Sequence, residues 1–447
     1  MLRLSKKKVA GVAALLLGAT LLPAIASTAN AATPVTITYG MWDDRQLPAY
    51  QACADAFQVA NPGITIKITQ SGWSDYWNAV TTGFANGNGF DVITDHLAYY
   101  QDLVNAGQIL DLTPYVAAAK VNLSQYQPGL AELWTKNGKR YGLPKDFDTI
   151  AISYNSAATT KDKITPAQLK YITWNPTNGG SWERLLKTAT IDKNGHNALS
   201  PKFDKNNVVT YGLNAPDKTT DWGQTDWSTL AVSNGFQFLN KNPWGNHYNF
   251  DSPALAQTLA WYRKGIAGGW ILDPRNTGSL GTPALMEANK IVFSTNGSWE
   301  INGLVSAKVP VKFAALPIGP QGRHTMFNGL ADSVNAATKN PAEAVKWALY
   351  LGSSACQDIV AAHAVVFPAI KTSTVKAFAA FKAAGAAIDG FTSEVNPKVT
   401  FIPPMADNAK DVAAIFGPYL TKIYFGQGDA QTLLTEANKQ INALFTN

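Results

Sequence analysis

The chain has 447 residues, a formal net charge of +6, and an ordinary globular composition with 46% hydrophobic and 15% charged residues. That length exceeds what one common core holds, so two domains are expected. The positive balance is no argument for nucleic acid or anionic lipid, because four of the cations, Arg3 and Lys6-Lys7-Lys8, crowd the N-terminus.

Those cations precede an apolar stretch at 9–22 and then Ala29-Asn30-Ala31, an A-x-A pattern. Residues 1–31 therefore read as a secretory signal cleaved near Ala31. The apolar stretch is shorter than the roughly 20 residues a spanning helix needs. Removing it leaves a net charge of +2 on about 416 residues. No later segment is long and apolar enough to span, so a soluble exported protein is expected, extracellular or periplasmic.

Val35-Thr36-Ile37-Thr38-Tyr39-Gly40 alternates and is rich in β-branched residues, which predicts a strand. A helix is predicted over 48–59, a second strand over 64–68 and a helix over 74–85. A third strand follows at 90–94 and a helix at 99–105. This rhythm implies βαβ units and a mostly parallel sheet. Ligands of open α/β sheets sit beyond the carboxyl ends of the strands. Here those ends carry Trp42, Asp43, Asp44 and Arg45, then Ser71 to Trp73, then Asp95 and His96.

An extended run at 149–154 is suited to carry the chain into a second lobe. The middle, 155–290, reads as helical with polar loops, and short strands are predicted at 291–294 and 311–315. From Pro341 onward the pattern is amphipathic helix, broken at Pro368, Pro397 and Pro403-Pro404. There is no repeat and no low-complexity linker. Cys53 and Cys356 could pair in an oxidising compartment, but their spacing does not say so, and two separate buried thiols are expected. Neither has a His or a second Cys at ligand spacing, so no metal or cofactor is expected. Asp192-Lys193-Asn194-Gly195-His196-Asn197 lacks the acid spacing of a calcium loop and reads as a polar turn. Of the thirteen tryptophans, Trp134, Trp261, Trp270 and Trp347 sit in helical or apolar contexts and are assigned to packing.

Several motifs in sequence order resemble the solute-binding proteins of bacterial ABC-type sugar importers, the group that includes the maltose-binding protein. They are Gly138-Lys139-Arg140-Tyr141-Gly142-Leu143-Pro144, Ile152-Ser153-Tyr154-Asn155, Asn296-Gly297-Ser298-Trp299 and Leu316-Pro317-Ile318-Gly319-Pro320. Asn328-Gly329-Leu330-Ala331-Asp332-Ser333 and the helical Asn340-Pro341-Ala342-Glu343-Ala344-Val345-Lys346-Trp347 complete the set. The resemblance covers the whole mature chain. It implies an α/β, two-lobed periplasmic-binding-protein-like fold with the ligand cleft between the lobes. By that analogy lobe one is 32–147 plus 291–338, and lobe two is 148–290 plus 339–447. The implied function is carbohydrate binding, closure by hinge motion, and delivery to membrane permease subunits. A monomer without enzymatic activity or nucleic-acid partner is expected. Many relatives carry a lipid-modified Cys directly after the signal; the nearest cysteine here is Cys53, so no such anchor is expected.

The resemblance also supplies site residues. Asp44 and Arg45, with Asp43 adjacent, fall where the family's first-strand loop meets ligand. Asp95 and His96 match a third-strand position, and Asp148 an acidic position in the first crossover. Trp299 matches a stacking tryptophan, while Trp222, Trp227 and Trp73 are candidate aromatic platforms. Asp332 stands where the family often has a small or aromatic residue facing the cleft. An acid there calls for ligand hydroxyls or a nearby Arg as partner. Acids and amides for hydroxyls, with indoles for the apolar ring faces, is the chemistry an oligosaccharide needs. A non-sugar solute such as a glycerophosphodiester is the alternative, although Arg45 alone is a thin phosphate site. A secreted glycan-active enzyme would need two carboxylates flanking a scissile bond, and neither nucleophile elbow nor metal motif accompanies the acids.

Overall fold

The structure is a computed structural model, described for residues 34–216, 222–277 and 280–445. The signal segment and its cleavage position lie outside these residues, as does 217–221 of the polar loop before Trp222. Among the described residues no helix is long and apolar enough to cross a membrane.

The predicted β–α rhythm opens the fold. β1 (Val35–Met41) buries Ile37, Tyr39 and Met41. α1 (Leu47–Ala60) begins at a proline, whose missing N–H is harmless in a first turn, and buries Ala49, Tyr50, Cys53, Ala54 and Phe57 as one stripe. β2 (Ile64–Gln70), α2 (Trp73–Ala85), β3 (Val92–His96) and α3 (Tyr100–Asn105) follow. β1 lies parallel to both β2 and β3. β4 (Leu143–Asp148) belongs to the same sheet, but after Thr149 alone β5 (Ile150–Asn155) starts a second one.

The second lobe holds β6 (Ile191–Asp192), β7 (Val208–Leu213), β8 (Ile291–Gly297) and β9 (Val311–Ala314). Its strand order is β9-β5-β8-β7-β6. The chain then returns to the first lobe with β10 (Asn328–Val334), α4 (Pro341–Leu351), α5 (Ser354–His363), β11 (Phe367–Pro368) and α6 (Lys371–Ala383). That sheet runs β11-β4-β10-β3-β1-β2. It is mixed rather than mostly parallel as expected, because β10 lies antiparallel to both β3 and β4. Finally α7 (Ala409–Tyr424) and α8 (Ala430–Ala443) rejoin the second lobe, placing Phe416, Leu420, Leu434 and Ile441 in a core with Trp227, Phe250 and Trp261.

These memberships correct the expected lobe ranges. β8, assigned to lobe one, pairs along five residues with β5 of the second sheet. Residues 341–383, assigned to lobe two, cover the first sheet instead. Trp347 of α4 packs edge-on against Tyr39 of β1 at 5.8 Å and Phe57 of α1 at 5.1 Å. The apolar stripe of α4 shows that it is half-buried, but not which sheet it covers.

Cys53 and Cys356 form a disulfide between α1 and α5, with Cα atoms 5.2 Å apart. The expectation of two free thiols is overturned because α5 packs on α1, which no local pattern reveals. The four tryptophans assigned to packing are all buried. The 192–197 segment is a closed turn: the Asp192 carboxylate accepts N–H groups from Asn194, His196 and Asp204.

Among the described residues three passages join the lobes, and they are bonded to one another. Thr149 Oγ1 donates to the Phe391 carbonyl at 3.0 Å, tying the first passage to the third. Ile150 N donates to Thr325 Oγ1 at 2.9 Å, tying the first to the second. Thr325–Met326 pairs in parallel with Thr400–Phe401, tying the second to the third.

Candidate functional site

A cavity of about 330 Å³ opens where the lobes meet. Trp42 to Gln46 reach it from the carboxyl end of β1, Trp73 from the start of α2, and His96 from the end of β3. Asp146 and Asp148 lie two apart on β4 and so share one face of the strand. The second lobe contributes Gln224, and the segment after β8 contributes Ser298, Trp299 and Glu300. Asn328 enters at the start of β10.

The indoles form two walls. Trp42 and Trp73 meet edge to face at 4.9 Å, with His96 5.6 Å from the Trp73 ring. Trp299, half-buried, packs against the cores of both lobes. Its ring folds back over Gly297, where a Cβ would come within 1.8 Å of it. Only glycine permits that pose, which accounts for the Gly-Ser-Trp order.

A polar network spans the cavity floor. Gln224 Nε2 donates to Asp148 Oδ1 at 2.7 Å, joining the lobes directly. His96 Nδ1 lies 3.1 Å from the Ala98 N–H, and His96 Nε2 lies 2.9 Å from Asn328 Nδ2. Burial pushes His96 down to about 3, which keeps it uncharged. Burial raises Asp146 to about 7, with Lys145 opposing, and pushes Asp148 well above the usual carboxylate range. On the rim, Arg45 pairs with Glu300 at 3.1 Å. Asp43 accepts Arg45 N and Gln46 Nε2, both at 2.9 Å, which fixes the loop after β1.

Seven of the eleven sequence-derived site residues line this cavity: Asp43, Asp44, Arg45, Trp73, His96, Asp148 and Trp299. Four do not. Asp95 is fully buried on β3, its Oδ1 accepting the His96 N–H at 2.8 Å. Neighbouring residues on a strand face opposite sides, so Asp95 and His96 cannot both reach the cleft. Trp222 and Trp227 are core residues of the second lobe, stacked near Tyr248 and among Phe236, Phe238 and Phe416. Asp332 is buried on the helix-covered side of the first sheet. Its Oδ1 accepts from Tyr39 Oη at 2.7 Å and lies 3.8 Å from Lys145 Nζ, so its partner is a lysine rather than ligand or Arg.

Sequence reasoning did not select Trp42, Gln46, Asp146, Gln224, Ser298, Glu300 or Asn328. Trp42, Ser298 and Asn328 stood inside segments already singled out. Asp146 was available from strand alternation, two residues before Asp148. Gln224 had no local signal: Trp222 and Gly223 both take positive φ, at 57° and 61°, and that tight turn buries the indole while presenting the amide.

The family described as "Bacterial extracellular solute-binding protein" matches residues 52–390. A putative binding protein of Brucella abortus is 24% identical over 442 residues, covering 97% of this chain and 98% of that one. An ABC substrate-binding protein of Listeria monocytogenes, solved in complex with cycloalternan, superposes with a TM-score of 0.79 at 17% identity, covering 92% of this chain and 98% of that one. Maltose-bound MalE3 of T. maritima superposes with a TM-score of 0.74 at 18% identity, covering 92% and 100%.

Proposed function

The chain belongs to the bacterial extracellular solute-binding proteins, and we propose that it captures an oligosaccharide outside the cytoplasm and delivers it to the permease subunits of an ABC importer. The observation that carries this reading is the composition of the cavity between the lobes. Trp42, Trp73 and Trp299 offer apolar planes for sugar ring faces, and Asp148, Gln224, Asn328 and His96 offer acceptors and donors for hydroxyls. Cycloalternan and maltose in the Listeria and T. maritima relatives support a carbohydrate cargo.

The geometry supports closure around the cargo. A ligand that touches the loops of lobe one and Gln224 of lobe two at once binds a closed arrangement more tightly than an open one. That difference shifts the population toward closure. The carboxylates act as hydrogen-bond acceptors in this scheme, not as an acid–base pair, and the protein releases its cargo unchanged. Export behind a signal cleaved near Ala31, and function as a monomer, complete the proposal.

The test is a thermal-shift screen over di- to pentasaccharides. A ligand at 100 times its Kd adds about 2.7 kcal/mol to stability, so a cognate sugar raises the melting temperature measurably. An unchanged melting temperature across linkages and lengths would count against the reading. Turnover of labelled oligosaccharide present in excess would replace it with an enzymatic one.

A further inference from the structure

The wall of the cavity is electrostatically one-sided. Among the described residues, Asp43, Asp44, Asp146, Asp148 and Glu300 line it against one cation, Arg45. Arg45 is engaged by Glu300. Lys145, next to Asp146 in sequence, turns its ammonium to the other side of the sheet. There it donates to Tyr39 Oη at 2.9 Å and Thr94 Oγ1 at 3.0 Å, and lies over the Tyr50 ring at 3.9 Å. Among the described residues, no cation faces Asp146 and Asp148 across the cavity.

Buried polar atoms on the same wall stand open. Asp146 Oδ2, Ser298 Oγ and one end of the Asn328 carboxamide are buried and have no hydrogen-bond partner. A buried carboxylate oxygen left bare is costly, and burial accordingly raises Asp146 to about 7. Asp148 is satisfied by Gln224 Nε2 and Asn328 Nδ2, but no described group relieves Asp146 Oδ2. On their own strand there is Lys145, turned away; on β10 there are Asp332 and Asn328; on β3 there is neutral His96; Asp43 adds further negative charge and Gln224 none. An anionic solute such as a phosphate or uronate meets repulsion here. A neutral sugar leaves the imbalance in place. A ligand ammonium removes it.

We propose, resting on the carbohydrate reading above, that the cargo is an amino sugar or an oligosaccharide with a free, protonated amine, received by Asp146 and Asp148 while its ring faces lie on the indoles. A ligand ammonium favours the ionised form that burial disfavours, and the charge-assisted hydrogen bond it then makes is the strongest contact this wall can offer. Its absence from a neutral analogue leaves Asp146 Oδ2 unpaired, so discrimination is built in.

The experiment is calorimetric titration of the full-length mature chain with matched pairs at pH 7. Glucosamine is compared with glucose, and glucosamine di- to tetramers with their N-acetylated and glucose counterparts of the same linkage. The amine is expected to bind at least about tenfold more tightly than its neutral partner. Asp146→Asn and Asp148→Asn should each bring that ratio toward one, with melting temperatures confirming that both variants fold. The wild-type comparison stands on its own if either variant fails to fold. Equal or tighter binding of the neutral partner overturns the proposal and leaves the carbohydrate reading intact, as does an amine preference that survives both substitutions. Binding of neither member of any pair overturns both.

Discussion

Opening the Cys53–Cys356 bond is a perturbation whose size the structure sets. The bond closes a loop of 303 residues, since it joins α1 to a helix reached only after the chain has built the second lobe and returned. In the chain-entropy description, a cross-link of that span restricts the unfolded ensemble by about 6 kcal/mol at 25 °C. Measured disulfides of long span deliver less, so a loss of about 2 to 5 kcal/mol is expected on its removal. The bond is buried on both sides, so mild reductant should act only as the protein opens. The assay is urea unfolding of wild type with and without reductant, alongside the Cys53→Ala/Cys356→Ala variant. Thiol alkylation of the denatured, unreduced chain is followed by mass spectrometry. Wild type should show no alkylation before reduction and a higher urea midpoint than the variant. Two alkylated thiols in the unreduced chain, or equal midpoints, would refute the reasoning.

The site yields further expectations. Trp299→Ala removes one stacking plane and should weaken sugar binding by about 2 kcal/mol, roughly thirtyfold, measured by calorimetry. Gln224→Ala breaks the hydrogen bond between the lobes and leaves Asp148 under-satisfied, so stability should fall by about 1–3 kcal/mol, read as a lower melting temperature. Burial raises Asp95 to about 7 in the folded state, above its unfolded value near 4. The cost of ionising it is absent below pH 4, grows through the window to pH 7 and is complete above it. Asp95→Asn should therefore raise the urea midpoint at pH 8 and not at pH 4. Lys145→Met strands Asp332 as an unpaired buried acid and should cost about 3–5 kcal/mol, with much of that recovered in Lys145→Met/Asp332→Leu.

The opening β–α rhythm was legible because each element carries a clean local signature. β1 alternates, α1 has a stripe and a leading proline, and β2 follows Asn61-Pro62-Gly63. Sheet membership was not, because β8 looks the same whether its neighbour is β5 or a strand of the other lobe. β7 was missed inside a segment read as helical. The site was half legible by the same logic. Strand-end loops exposed Asp43 to Arg45, while Asp95 failed on the parity of a single strand residue. Asp332 needed knowledge of a lysine on an adjacent strand, and Gln224 needed a turn with two positive φ values. Long-range pairing, as with Cys53 and Cys356, leaves no mark on a local window.

The lacing of the three passages through Thr149, Thr325 and Phe391 bears on how the molecule can be cut and instrumented. Severing the backbone in any one passage leaves the lobes joined by the other two, with hydrogen bonds holding the severed ends in register. Neither lobe is a contiguous stretch of chain, so neither can be cloned as a fragment by simple truncation. The closure proposed above would turn about this braced junction. A dye pair placed far from the cavity, one on each lobe, would then report occupancy as a single distance change, and a circular permutant opened in one passage would keep that readout.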